Sequence, residues 1–286
     1  MQEDKWVGVV GAGMMGAEIA LCFAMAGHKV ALKEVSLELA EKGKARLEGV
    51  LDRLAHKNKI DADDQPLILE RITPTDNFDL FREARLVVEA AFENEPVKKQ
   101  IFKELDSICP AACTFATNTS SIPITVLATA VGPDRIGRFI GTHFFSPVSL
   151  MPLVEVIPGL DTTEETIATA MAVCRQIGKT PIRVKDVTGF AVNRLLHVMW
   201  IEANRLLEEG VATVEDIDTA CRLGLGHPIG PYALMDLTGN DLNLQVQQIL
   251  QDAYGERFRP RPILKQMVSA HHLGRKTGRG WKPYEG

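Results

Sequence analysis

The sequence predicts an α/β fold, a mostly parallel sheet covered by helices on both faces, followed by an all-α C-terminal domain. Three observations carry the prediction. Apolar strand-like runs alternate with helical patterns from Trp6 to Val184, which reads as a parallel sheet with crossover helices. A glycine-rich turn, Gly11-Ala-Gly-Met-Met-Gly16, follows the first run directly. Beyond Lys185-Asp186 the strand-like runs stop and helical patterns alone remain. The expected domains are therefore 1–185 and 186–286.

The first elements explain the glycines. Trp6 to Val10 is a short apolar run, Ala17 to Ala26 an Ala-rich helix stopped by Gly27, and His28 to Lys33 a second strand ending in Glu34. Strand, tight Gly turn, helix, strand and an acid ~20 positions on are the full context of a Rossmann-type dinucleotide site. Gly11 makes the turn, Gly13 lets a pyrophosphate approach the backbone, and Gly16 lets the helix pack on the strand. Ala12, Met14 and Met15 complete the loop, whose helix N-terminus favours an anion. Glu34 can accept from both ribose hydroxyls and would repel a 2′-phosphate, so NAD is expected over NADP.

Leu37 to Lys59 is an amphipathic helix with Leu39, Leu47, Val50, Leu51 and Leu54 on its apolar side. Its basic end (Arg53, His56, Lys57, Lys59) is either a solvated face or a phosphate-binding patch. Asp61 to Gln65 is a polar turn. A strand at Leu86 to Val88 leads to Glu93 and Asn94, and a helix then carries Lys98 through Leu105. Glu93 and Lys98, at the carboxyl end of a parallel strand, are candidates for the nicotinamide side of the cofactor. Thr114 to Thr117 is the next strand, ending in Asn118-Thr-Ser120-Ser121. A Ser/Thr cap before Ile122-Pro123 and a helix over Thr125 to Val131 would use part of that polar run. Four polar residues in a row exceed what a cap needs.

Arg138 to Glu155 reads as two apolar strands joined by a turn bearing Pro147 and Pro152. Antiparallel pairing about Ser149 sets His143 opposite Glu155, with side chains ~5 Å apart on one face. A carboxylate there holds the imidazole in one tautomer and supports the imidazolium formed when it accepts a proton. A helix from Thr163 to Ile177 and a strand from Pro181 to Val184 close the sheet domain. The helical half follows: Phe190 to Glu209, Thr213 to Leu223, Tyr232 to Leu237, Asp241 to Tyr254 and Ile263 to Ala270. Leu195, Leu196, Met199, Leu206 and Leu207 on its first helix suggest packing against a second subunit, a homodimer. Asn193, in that helix's first turn, is placed to face a cleft or is a plain surface residue.

Bulk properties narrow the classes. With 286 residues, 45% hydrophobic and 24% charged, the chain supports an ordinary core. A formal charge of -5 argues against a nucleic-acid partner, and no apolar run approaches the ~20 residues that span a bilayer. The charged start Met-Gln-Glu-Asp-Lys leaves no room for a signal peptide. Five scattered cysteines without a CxxC read as reduced thiols of a cytoplasmic protein, and no metal site is expected, Cys109 and Cys113 included.

Together these residues resemble the 3-hydroxyacyl-CoA dehydrogenases, over nearly the whole chain. The resemblance rests on Gly11 to Gly16, Val88 to Asn94, Asn118 to Ser121, Thr142 to Phe145 with Leu153 to Glu155, Gly189 to Arg194, and Lys276-Thr-Gly-Arg-Gly280. It is closest to the stand-alone 3-hydroxybutyryl-CoA members. It implies NAD-dependent oxidation of a 3-hydroxyacyl-CoA in which His143 takes the hydroxyl proton and Glu155 orients it. Ser120 and Asn193 then match positions that hydrogen-bond the reacting oxygen and the thioester region. Glu34, Glu93, Lys98 and Lys276 match cofactor contacts, and Lys57 lies where coenzyme A approaches. The sequence departs from the family in Ser146, where Asn is common three residues after the histidine and contacts the cofactor, and in Glu34, where Asp is common. The competing readings are a dehydrogenase of free hydroxy acids or sugar acids, which would need Arg138 or Arg194 at the substrate carboxylate, and one of dicarboxylic acyl-CoAs such as 3-hydroxyadipyl-CoA.

Overall fold

The computed structural model describes residues 6–284; the charged start read above, residues 1–5, and residues 285–286 lie outside the described residues. The chain divides into two compact units, Met1–Val187 and Thr188–Gly286. The first unit reaches past residue 185 because Asp186 belongs to it. Its carboxylate accepts from the backbone N–H of Ile124 and Thr125, both at 2.9 Å, and from Thr125 Oγ1 at 2.8 Å.

In this unit β1 (Trp6–Val10), α1 (Met14–Met25), β2 (Val30–Lys33), α2 (Leu37–His56), α3 (Gln65–Glu70) and β3 (Ile72–Thr75) come first. A 3-10 turn at Asp79–Glu83 returns the chain to β4 (Ala84–Glu89), then α4 (Glu95–Ile108), β5 (Thr114–Thr117), α5 (Ile124–Ala128), α6 (Pro133–Ile136) and β6 (Phe139–Phe144). β7 (Leu153–Pro158), α7 (Glu164–Gln176) and β8 (Thr180–Arg183) complete it. The eight strands run in the order β3-β2-β1-β4-β5-β6-β7-β8, and every neighbouring pair is parallel except β6 with β7. The chain's progress across the sheet reverses between β1 and β4, where open α/β sheets place their ligand crevice.

Local chemistry sets most helix starts. Ser36, Asn94 and Thr163 each accept a backbone N–H from the first turn of α2, α4 and α7. The start of α5 differs from expectation. The helix begins at Ile124 and its exposed amides are capped by Asp186, not by the Ser/Thr run before Pro123. β3 was not expected: it is four residues long and contains Pro74, which a sheet tolerates at its edge, where β3 lies. Strand alternation divides the sheet's two faces. Phe115 and Phe139 meet Phe102 of α4, with ring centroids 5.9 and 4.6 Å apart. Val88, Ala116 and Ile140 join the other core, with α1, α2 and α7.

The second unit holds α8 (Val192–Glu208), α9 (Val214–Gly224), α10 (Pro231–Thr238), α11 (Asn240–Tyr254) and α12 (Pro262–Ser269). Positive φ angles at Gly189 (72°) and Phe190 (45°) delay α8 past the expected start at Phe190. Its core is Trp200, Ile217, Tyr232 and Met235, with the Tyr232 hydroxyl donating to Ala203 O at 2.8 Å. Leu196, Met199, Leu206 and Leu207 pack against this core. Most of the apolar positions attributed above to a second subunit are thus used within the unit; Leu195, at 74% exposure, and Val198 point outward. Two buried acids unremarked in the sequence organise the C-terminal segment. Asp236 accepts from the Trp281 N–H at 2.9 Å and the Tyr284 hydroxyl at 2.9 Å, and Asp218 from Lys282 Nζ at 2.8 Å.

Candidate active site

The site is built at the carboxyl ends of β1, β4, β5 and β6. Between β1 and α1, Gly11 has φ 101° and donates its N–H to Lys33 O at 2.8 Å. A Cβ on Gly16 would overlap Gly11 O, so that position admits only glycine without a backbone shift. A Cβ on Gly13 would meet no protein atom within 4 Å. Gly13 is also the N-cap of α1 and offers no side-chain cap, which leaves the first-turn amides for an anion. At the end of β2, Glu34 Oε2 accepts from the Ala12 N–H at 2.9 Å and Oε1 from the Val35 N–H at 2.8 Å. Each oxygen keeps a lone pair for a ribose hydroxyl. A cavity of ≈ 790 Å³ joins these groups, with Met14, Phe92 and Val97 in its walls. Space at Gly13, an uncapped helix start and a fixed carboxylate together fit an adenine dinucleotide without a 2′-phosphate.

The β6–β7 register sets His143 opposite Glu155, as the hairpin reading expects. His143 Nδ1 lies 2.8 Å from Glu155 Oε2, and the two residues are 5% and 0% exposed. A carboxylate can only accept, so Nδ1 carries the proton, and in the neutral ring Nε2 presents the lone pair. Ser120 Oγ is 3.0 Å from that nitrogen. The imidazole is held further by the Phe145 ring, edge-on at 4.7 Å between centroids. The connecting turn is clamped from two directions. Glu18 of α1 accepts the Ser149 N–H at 2.7 Å, and buried Lys179 donates to Val148 O and, at 3.0 Å, to Met151 O. Neither anchor is visible as such in the sequence. Ser146, within this turn, is exposed and precedes a cis peptide bond to Pro147.

The run at 118–121 is spent on the site. Asn118 Oδ1 accepts the Phe144 N–H at 2.8 Å, tying β5 to β6 beside the histidine. Glu93 Oε1 accepts from Thr119 Oγ1 at 2.6 Å, from the Ser120 and Ser121 N–H groups at 2.9 Å each, and from Ser121 Oγ at 3.0 Å. Partial desolvation pushes the Glu93 carboxyl up; nearby Lys98 and these hydrogen bonds outweigh it and hold the group below its ordinary value. Lys98, read above as facing the cofactor, is turned inward: it is 1% exposed, with Nζ 2.6 Å from Glu89 Oε1, 3.2 Å from Ala91 O and 3.4 Å from Glu93 Oε2. Glu89, fully buried at the end of β4, went unread because a carboxylate inside a strand declares its partner only once the helix is folded over it.

The remaining candidates belong to other elements. Lys57 is exposed just past α2. In the helical unit, Asn193 is half-buried in the first turn of α8, and Lys276 Nζ meets both oxygens of Asp241 at 2.6 Å. Arg194 lies over the Tyr254 ring at 4.1 Å. Arg138 immediately precedes β6, at the end away from His143, and lines a second cavity of ≈ 540 Å³ with Thr142, Ile140 and α7 residues. Strand alternation puts that cavity on the face of β6 opposite His143.

Comparison with known proteins bears on both units. Residues 6–187 match the family described as 3-hydroxyacyl-CoA dehydrogenase, NAD binding domain, and residues 189–284 match its C-terminal domain. A protein of Bacillus subtilis (strain 168) named probable 3-hydroxybutyryl-CoA dehydrogenase is 43% identical over 284 residues, covering 99% of this chain and 98% of its own. The mitochondrial hydroxyacyl-coenzyme A dehydrogenase of Homo sapiens is 39% identical, with 98% and 91% covered. Among solved structures, (S)-3-hydroxybutyryl-CoA dehydrogenase from Ralstonia eutropha superposes with a TM-score of 0.93 at 43% identity, covering 99% of each chain. With both halves matched in order and full-length relatives well above 30% identity, the chain belongs to the 3-hydroxyacyl-CoA dehydrogenase family.

Proposed function

We propose that this chain catalyses the reversible oxidation of (S)-3-hydroxyacyl-CoA to 3-oxoacyl-CoA, with 3-hydroxybutyryl-CoA as its substrate. The observation that carries the reading is His143, held between Glu155 at 2.8 Å and Ser120 at 3.0 Å. Gly11 to Gly16 and Glu34 would hold NAD, which would supply the acceptor for the hydride that leaves C3. The protein's own part is proton transfer. His143 Nε2 accepts the 3-hydroxyl proton as the C–O bond gains double-bond character, and returns it in the reverse direction. Glu155 stabilises the imidazolium and keeps Nδ1 protonated. Ser120 Oγ hydrogen-bonds the reacting oxygen, so that the hydroxyl is aimed at Nε2 before the proton moves.

Asn193, Lys276, Lys57 and Ser146 enter the proposal through the family resemblance: Asn193 at the thioester, Lys57 at coenzyme A, Lys276 and Ser146 at the cofactor. Exposed Leu195 and Val198 support a homodimer formed through the helical unit. A cytoplasmic location is consistent with reduced cysteines, and no helix among the described residues is long and apolar enough to cross a membrane.

A free hydroxy acid is disfavoured by the placement of Arg138 on the far face of β6 and of Arg194 against Tyr254. The test is NADH oxidation with acetoacetyl-CoA against free acetoacetate, extended over C4 to C10 and dicarboxylic 3-oxoacyl-CoAs. The expected result is turnover with acetoacetyl-CoA at a kcat/KM on the order of 100-fold or more above the free acid, since the coenzyme's binding energy is lost with truncation. Oxidation with the free acid alone contradicts the proposal.

A further inference from the structure

A continuous set of short contacts leads from a buried carboxylate to the reactive nitrogen. Glu89 Oε1 accepts from the Ala91 N–H at 2.7 Å and Lys98 Nζ at 2.6 Å, and Oε2 accepts from Thr117 Oγ1 at 2.7 Å. Lys98 also lies 3.4 Å from Glu93, whose other oxygen gathers two hydroxyls and two amides of residues 119–121. The Ser120 hydroxyl in the middle of that loop is 3.0 Å from His143 Nε2. We propose that Glu89 is a positioning residue for the reaction: through Lys98 and Glu93 it fixes the 119–121 loop and so sets where Ser120 meets His143.

The physical reason is the arrangement of charge. Glu93 and Glu89 flank one ammonium, which donates to Glu89 and Ala91 O and pairs with Glu93 at 3.4 Å. Remove the Glu89 charge, as in Glu89→Gln, and the buried ammonium keeps an oxygen to donate to but loses its nearest anion; it pairs more closely with Glu93, and the loop that Glu93 holds moves with it. A buried ion pair is weak evidence of a role in stability, because the cost of desolvation offsets the attraction and an apolar pair would serve. What an apolar pair cannot supply is a directional hold on Glu93. A shift of about 1 Å at a reacting group costs up to about 100-fold in rate. The inference rests on the roles proposed above for His143 and Ser120.

The test is a double-mutant cycle on the full chain, with kcat and KM read for acetoacetyl-CoA reduction and folding checked by thermal melting. Glu89→Gln is expected to lower kcat about tenfold while KM changes less than about twofold. In a Ser120→Ala background the same change is expected to lower kcat by less than about twofold, because the group it positions is gone. An equal loss in both backgrounds, or none in either, overturns the inference. Should Glu89→Gln not fold, Thr117→Val removes one contact to the same carboxylate and is expected to cost about threefold, again only when Ser120 is present. If Ser120→Ala keeps full turnover, the reading of the site itself has failed. If Ser120→Ala is impaired and the Glu89 and Thr117 effects are independent of it, only the positioning role has failed.

Discussion

At the residue scale, polar groups divide by whether their partners can be inferred along the chain. His143 and Glu155 were legible because one short turn fixes a two-strand register, and a register names the opposing residue. Glu34 was legible because the glycine turn fixes its distance from a strand end. Glu89, Asp186 and Glu18 were not, since their partners come from elements 9 to 131 residues away. His197 shows the energetic side of such burial. It is 4% exposed, its Nδ1 has no hydrogen-bond partner among the described residues, and burial pushes its pKa down to about 4. The unfolded chain binds a proton near the ordinary value of about 6.5, so between these values the unfolded state holds more protons and stability rises with pH. Between pH 7 and pH 5 the loss from this group is expected to be about 2 kcal/mol. Urea unfolding at both pH values checks it: the loss should disappear in His197→Phe, and a parallel loss in that variant would assign it to other groups.

At the element scale, the glycine loop separates two requirements that the fingerprint alone merges. Gly16 is needed by the protein, since its Cβ would overlap Gly11 O, whereas Gly13 faces open space. Gly16→Ala is therefore expected to lower stability by about 1–3 kcal/mol and to weaken NADH binding with it. Gly13→Ala should melt within about 1 °C of the parent yet bind NADH at least about tenfold more weakly, because its methyl group occupies the approach to the α1 N-terminus. Melting curves and NADH fluorescence titration measure both; retained NADH affinity in Gly13→Ala would remove the diphosphate from this turn. Other elements were read with shifted edges for identifiable reasons. α5 took its cap from Asp186, and β3 was hidden by Pro74 in a strand too short to show alternation. α8 begins late because Gly189 and Phe190 hold positive φ, a conformation no periodic pattern announces.

At the scale of the whole molecule, the alternation of strands with helices up to β8 and the helices alone beyond it were readable, though β3 and the short α3 and α6 were missed. The apolar stripe of α8 was over-read, since its period reports a buried face without saying whose core buries it. The chemistry proposed for the family site depends on one tautomer held by one carboxylate. Steady-state NADH oxidation with acetoacetyl-CoA, for the parent and for His143→Gln, tests it directly, with NADH affinity measured on both. A fall in kcat of about 10²–10⁴-fold is expected for His143→Gln, with NADH affinity unchanged within about twofold. Turnover near the parent rate in His143→Gln would contradict it, and would place the proton acceptor elsewhere.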